Sequence, residues 1–185
     1  MARGWAMQLL SLDLATKLGW AYGNTEAGDP VSGSFQLPKT GNELGPFLAA
    51  YGRWLQPMVQ NHGIELIVME EPIMPNGMTQ MATLLKLYNL VGTTERGAYH
   101  WGVPVRQVPA GSWKKAFCGK GNFGKKTSPY PPIVRCHELG WDHVNDDNEA
   151  DALGLWVYSA GAVTPGAGTR FDPLFRVDQS TFKAA

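Results

Sequence analysis

Cysteine is nearly absent from this sequence. Cys118 and Cys136 are the only two, and they lack the Cys-x-x-Cys spacing of a zinc site. A disulfide framework is therefore not expected. Free thiols in a reducing compartment, the cytoplasm, are. Histidine is also scarce, and His62, His100, His137 and His143 show no metal-ligand spacing. No apolar run approaches the ~20 residues that a membrane span needs. Residues 1–7 carry neither the apolar stretch nor the cleavage pattern of a secretory signal. Internal repeats and low-complexity tracts are missing too. Net charge is zero, with 16 Lys and Arg against 16 Asp and Glu. A nucleic-acid partner usually shows as a basic excess, so the total by itself counts against one.

The distribution of charge is less even than its sum. Lys114, Lys115, Lys120, Lys125, Lys126 and Arg135 share a segment with no acid before Glu138, and acids gather from Asp142 to Asp151. A neutral total can hold a basic groove beside an acidic site. The 185 residues suit one domain of roughly 150 residues with a tail. We place the domain at 1–162 and a Gly-, Pro- and polar-rich tail at 163–185.

Apolar runs and turn signals give the order of elements. Strands are expected at 7–12, 19–24 and, after the turn Ala27-Gly28-Asp29-Pro30, at 31–37. Asn42 would cap a helix to residue 61 with Leu44, Phe47, Leu48, Tyr51, Leu55 and Val59 on one face. A buried strand at 64–69, a long helix at 78–100 and a strand at 103–108 follow. Short helices are expected at 111–117 and 133–139, with a glycine- and lysine-rich loop at 119–128 between them. A last helix begins at Asp146 or Asp147 and runs to 162. This order predicts an α/β layer fold, a five-stranded mixed sheet flanked by helices. A right-handed crossover would lay strand four parallel to strand one, bringing their C-terminal ends together.

Those ends carry acids. Asp13 closes the first apolar run, and Glu70 closes the run Val68-Met69. A charge ending a buried strand is costly unless it is paired or holds a cation. Asp151 adds a third carboxylate from the last helix, where Asp147 and Asn148 share its face. Carboxylates forced together repel. Mg²⁺ relieves that repulsion and accepts water and phosphate as further ligands. Two such ions about 3.5–4 Å apart can activate a water and stabilise a leaving oxygen. Each acid alone has a plainer reading: a turn residue, a solvated strand exit, a helix cap for Asp146-Asp147. They gain weight because the topology converges them.

Asp13 after its strand, Val68-Met69-Glu70-Glu71-Pro72-Ile73-Met74 and Glu149-Ala150-Asp151-Ala152-Leu153 together resemble the motifs of RuvC-type Holliday junction resolvases. The phage-like members of that group, within the RNase H-like superfamily, are the most similar. The resemblance implies an RNase H-like fold and a homodimeric endonuclease that cuts branched DNA. It implies Mg²⁺, replaceable by Mn²⁺, on Asp13, Glu70 and Asp151. The family places a fourth acidic or histidine ligand where Asn148 stands, and we take Asp147 in its place by a one-residue shift. It also implies lysines near the scissile phosphate: Lys114 counting back from Gly119, or Lys125 counting forward from Gly121. Lys120 and Lys126 would contact backbone phosphates. Ile73 stands where family members carry an aromatic wedge, and Phe123 is the candidate for that stacking role. Alternatives stay open: a degraded-site binding domain of the same fold, or a nuclease on forks, flaps or RNA–DNA hybrids. An actin/Hsp70-like phosphotransferase fragment fits poorly, because Leu14-Ala15-Thr16-Lys17 lacks the glycine of a phosphate loop.

Overall fold

A computed structural model describes residues 6–72, 80–123 and 127–172. Its centre is a five-stranded sheet in the order β3-β2-β1-β4-β5. The strands are β1 (Gln8–Asp13), β2 (Lys17–Asn24), β3 (Ala27–Gln36), β4 (Leu66–Glu70) and β5 (Val105–Val108). The first three form an antiparallel meander, and β4 and β5 add in parallel to β1. This is the expected mixed sheet.

Side chains alternate across it with the period of a strand. Leu10, Leu12, Ile67 and Met69 face α1 (Leu44–Asn61) and α2 (Met81–Trp101). Leu9, Val68 and Ala21 face α3 (Ala110–Cys118), α4 (Pro131–Glu138) and α5 (Asp147–Val163). Phe47, Tyr51, Leu55 and Val59 form the buried stripe of α1, while Leu44 and Leu48, also expected on that face, are half-buried. Both faces of β1 and β4 are covered, so both strands read as unbroken apolar runs.

Helix α5 is buried along most of its length, including Ala152, Leu153, Leu155 and Trp156. Two glycines allow its close approach. A Cβ on Gly19 would lie 1.8 Å from the Asn148 carbonyl oxygen, and one on Gly154 would lie 2.6 Å from the Trp113 ring. Ser11 Oγ donates to Ala152 O at 2.7 Å, tying the same helix to β1.

Beyond shifts of a few residues at element ends, the structure departs from the sequence reading in three places. The β2–β3 turn sits at Thr25-Glu26, and β3 already runs through Gly28 and Pro30. Asn24 Oδ1 accepts the Glu26 N–H at 2.9 Å and closes the hairpin early. Pro30 is tolerated because β3 is an edge strand. Asn42 does not cap α1, whose N-cap is Glu43. Of the segment read as a tail, residues 167–171 form a 3-10 helix. Phe171 is buried there between Trp141 (5.8 Å) and Trp156 (5.6 Å).

Gly19→Ala should destabilise the fold by about 3 kcal/mol, the upper end of overpacking costs, because the obstacle is backbone and cannot turn aside. Urea unfolding monitored by tryptophan fluorescence measures it.

Candidate active site

The parallel register Leu12↔Met69 places the next residues, Asp13 and Glu70, side by side at the strand ends. Asp13 continues the face of Leu9 and Ser11, and Glu70 that of Val68. Both therefore project to the α5 side of the sheet, where α5 supplies Asp151. The three carboxylates act on one another: the charges of Asp151 and Glu70 both bear on Asp13.

Burial is the largest cause raising the Asp13 carboxyl well above the usual carboxylate range, and the Asp151 and Glu70 charges add to it. Asp151 is pushed up to about 6, again chiefly by burial. Lys114 and a hydrogen bond from Tyr130 pull it back in part. Lys114 Nζ stands 3.5 Å from Asp151 Oδ2 and 3.9 Å from Glu70 Oε1, bridging the two. Its ammonium also lies 5.0 Å from the Trp113 ring centre.

Two neutral donors complete the cluster. Trp113 Nε1 donates to Glu70 Oε1 at 3.1 Å. Tyr130 Oη donates to both oxygens of Asp151, at 2.8 and 3.0 Å. Burial and the adjacent Asp151 hold the Tyr130 phenol far above its ordinary pKa, so it stays a protonated donor. Sequence reasoning missed both residues. Trp113 reads as core, and Tyr130 as part of the Pro-Tyr-Pro-Pro turn.

The remaining expected site residues are placed as follows. Asp147 is exposed. It lines a cavity of about 360 Å³ together with Ala110, Lys114, Asn122, Phe123 and Tyr130. Phe123 meets Tyr130 edge-on at 6.2 Å. Lys120 is exposed on the same loop. Lys125 and Lys126 lie outside the described residues. Asp146, not Asp147, caps α5, accepting from the backbone N–H of Asn148 and Glu149. It is paired with Lys17, the first residue of β2. Burial opposes its ionisation, but Lys17 and the cap hydrogen bonds outweigh that and hold its carboxyl below the usual range. Asn148 Nδ2 turns back to Asp146 Oδ1 at 3.3 Å.

Among the described residues, no group of three or more His, Cys, Asp or Glu forms a ready metal cage. The donor chemistry nonetheless fits a hard divalent cation. Its ligand atoms would be carboxylate oxygens, two of the three acids resist ionisation, and among the described residues the cation reaching Glu70 and Asp151 is Lys114. Asp13, Glu70 and Asp151 would hold it.

The raised pKa of Asp151 has a stability consequence. Between the unfolded carboxylate value near ~4 and about 6, the folded chain binds the extra proton. Stability from this group is thus greatest below that window and falls as pH rises through it. Asp151→Asn should therefore melt higher than wild type in EDTA at pH 7–8. The difference should vanish toward pH ~4, as thermal unfolding across pH will measure.

No protein-family model and no curated protein matches the chain. Solved structures do. The structure of Thermus thermophilus RuvC superposes with a TM-score of 0.66 at 17% identity, covering 84% of this chain and 95% of that one. T. thermophilus RuvC in complex with Holliday junction substrate gives 0.66 at 15% identity, covering 84% and 94%. The yeast mitochondrial Holliday junction resolvase Ydc2 gives 0.56 at 11% identity, covering 91% and 80%. The chain thus has the five-stranded, helix-flanked RNase H-like fold of the RuvC-type resolvases.

Proposed function

We propose that this protein is a divalent-metal-dependent endonuclease that resolves Holliday junctions or closely related branched DNA. The observation that carries the reading is the convergence of Asp13, Glu70 and Asp151, with Lys114 among them, at the C-terminal ends of two parallel strands. The solved complex of a RuvC with junction substrate, on the same fold, supports the choice of substrate.

In this reading Asp13, Glu70 and Asp151 hold Mg²⁺, with Mn²⁺ as a substitute and two ions per site. Asp147 serves as the fourth ligand. Bound there, the metal supplies Lewis-acid chemistry: a more acidic water and a neutralised leaving oxygen. The chain's own groups do the rest. The carboxylates orient the reacting centre. Lys114, already within 3.5 Å of Asp151, offers its ammonium to the negative charge that develops on the phosphate. Lys120, Lys125 and Lys126 contact flanking phosphates, Lys125 being the second candidate at the scissile one. Phe123, at the edge of the cavity that Lys114 lines, stacks on an unpaired base. The two free cysteines suit a reducing cytoplasm, that of the host cell for a phage-encoded protein.

A four-way junction has two-fold symmetry, and paired incision calls for a homodimer. Helix α2 offers the surface. Its Leu84, Leu90 and Val91 are buried against the core, while Met81, Leu85 and Tyr88 stay exposed along a second stripe at i, i+4 and i+7. Leu85→Asp should convert a dimer to monomers in sedimentation equilibrium while leaving the far-UV circular dichroism spectrum unchanged, and the melting temperature should lose its dependence on protein concentration.

The rival reading, a binding domain with a degraded site, draws on Asn148 standing at the fourth ligand position. A cleavage assay in Mg²⁺ on a four-way junction, a fork and a linear duplex decides between them. Symmetric nicks in the junction alone are expected, reduced at least about a hundredfold in Asp13→Asn and Asp151→Asn. Equal cutting of all three substrates would remove junction selectivity and keep the nuclease. Binding without cutting in Mg²⁺ and Mn²⁺ would support the rival.

A further inference from the structure

We infer that Tyr130 and Trp113 are positioning residues of the carboxylate site, each fixing one acid for a metal ion with an uncharged hydrogen bond. The inference rests on the metal-dependent nuclease reading and assigns a role to two residues outside the acidic motifs.

The geometry is specific to each residue. Tyr130 Oη reaches both Asp151 oxygens, at 2.8 and 3.0 Å, so the hydroxyl fixes the plane of the carboxylate as well as its direction. Its backbone is set locally. Tyr130 is the N-cap of α4, with φ −67° and ψ 121°, and Pro131 and Pro132 follow in the first turn. A residue before proline is confined to this extended region, and proline in the first helical turn has its φ fixed for the helix. Tyr130 O then accepts from Val134 N at 3.1 Å. The ring also meets Phe123 edge-on at 6.2 Å. The Pro-Tyr-Pro-Pro segment is thus a rigid mount that aims one phenol at Asp151.

Trp113 is mounted differently. Its side chain is 1% exposed and wedged against α5 at Gly154, where a methyl group would intrude to 2.6 Å of the ring. The indole can hardly turn, so its one N–H is delivered to Glu70 Oε1 at 3.1 Å. Glu70 closes β4 and Asp151 projects from α5, so the two donors register the sheet acid against the helix acid.

The chemistry of the donors matters. A carboxylate has about four lone-pair sites. A phenol hydrogen shared between two oxygens, or a single indole hydrogen, leaves most of these sites open and the full negative charge in place, whereas an arginine would cancel that charge. Neutral outer donors therefore orient a ligand without competing for its charge. Loss of such a partner costs about ten- to a hundredfold in metal affinity or activity.

Tyr130→Phe and Trp113→Phe in the full chain test this. The readouts are Mn²⁺ affinity by titration calorimetry, the Mg²⁺ dependence of junction cleavage, and junction binding in EDTA. Each variant should weaken Mn²⁺ binding about tenfold and raise the Mg²⁺ needed for half-maximal rate. The rate should recover at saturating Mg²⁺, and junction affinity in EDTA should not change. If Trp113→Phe does not fold by circular dichroism, Tyr130→Phe decides alone, because its ring and packing are kept. Wild-type Mn²⁺ affinity in the variants would overturn the positioning role and leave the nuclease reading standing. A wild-type chain that neither binds Mn²⁺ nor cuts DNA would overturn both.

Discussion

Mutual repulsion of buried carboxylates is the constraint on which the site depends. The pairing of β1 with β4 makes it unavoidable: once Leu12 stands opposite Met69, Asp13 and Glu70 must be neighbours. Both strands are covered on both faces, and the two acids at their ends are only partly exposed. Asp151 then adds a third charge from above. Burial and repulsion raise Asp13 and Asp151 together. A fold free to minimise its energy would place apolar residues here. Keeping three acids instead makes the site a latent receptor for positive charge, and Lys114 answers part of that demand within the chain.

Holding the helix acid in place is a packing problem. Asp151 is useful only if α5 lies close and at a fixed rotation over β1 and β2. Gly19 removes the side chain that would separate the Asn148 carbonyl from the sheet, Ser11 bonds to Ala152 O, and Gly154 admits Trp113. At the helix start, Asp146 caps two backbone N–H groups and pairs with Lys17. That pair anchors the acidic end of α5 to the start of β2, directly after the turn that follows Asp13. Anchor and site share one corner of the fold, so a change in the turn would be felt at both.

What the sequence made readable follows from which signals are periodic or local. Strands β1 and β4 announced themselves as apolar runs ending in acid, and a right-handed crossover that lays them parallel brings those ends together, as the register shows. Helix α1 was legible from its stripe, and Lys114 came, with Lys125 as its alternative, from the family resemblance. Tyr130 and Trp113 were not. A phenol's partner is set by tertiary approach, 21 residues from Asp151, and 43 residues separate Trp113 from Glu70. No spacing rule spans such distances. The early β2–β3 turn was hidden because Gly28 and Pro30 look like turn residues, while the bond that closes the hairpin comes from Asn24. Phe171 was lost in a stretch whose composition reads as tail, yet one aromatic between Trp141 and Trp156 suffices to seat it.

Lys114 and the two neutral donors mark different solutions to one electrostatic problem. Lys114 neutralises: it touches Glu70 and Asp151 at once and lowers the repulsion that folding must overcome. Tyr130 and Trp113 orient without neutralising. The division has a functional logic. A lysine on a flexible stem can leave the carboxylates for a phosphate when a metal ion takes over their charge, because its ammonium is a point charge with free rotation. A phenol on a proline-fixed turn and an indole wedged in the core cannot leave. In the proposed reaction the mobile charge would be the group that changes partners, and the rigid groups carry none. An arrangement with those roles exchanged, a fixed cation and mobile neutral donors, would stabilise the free chain more and leave less negative charge for a divalent ion.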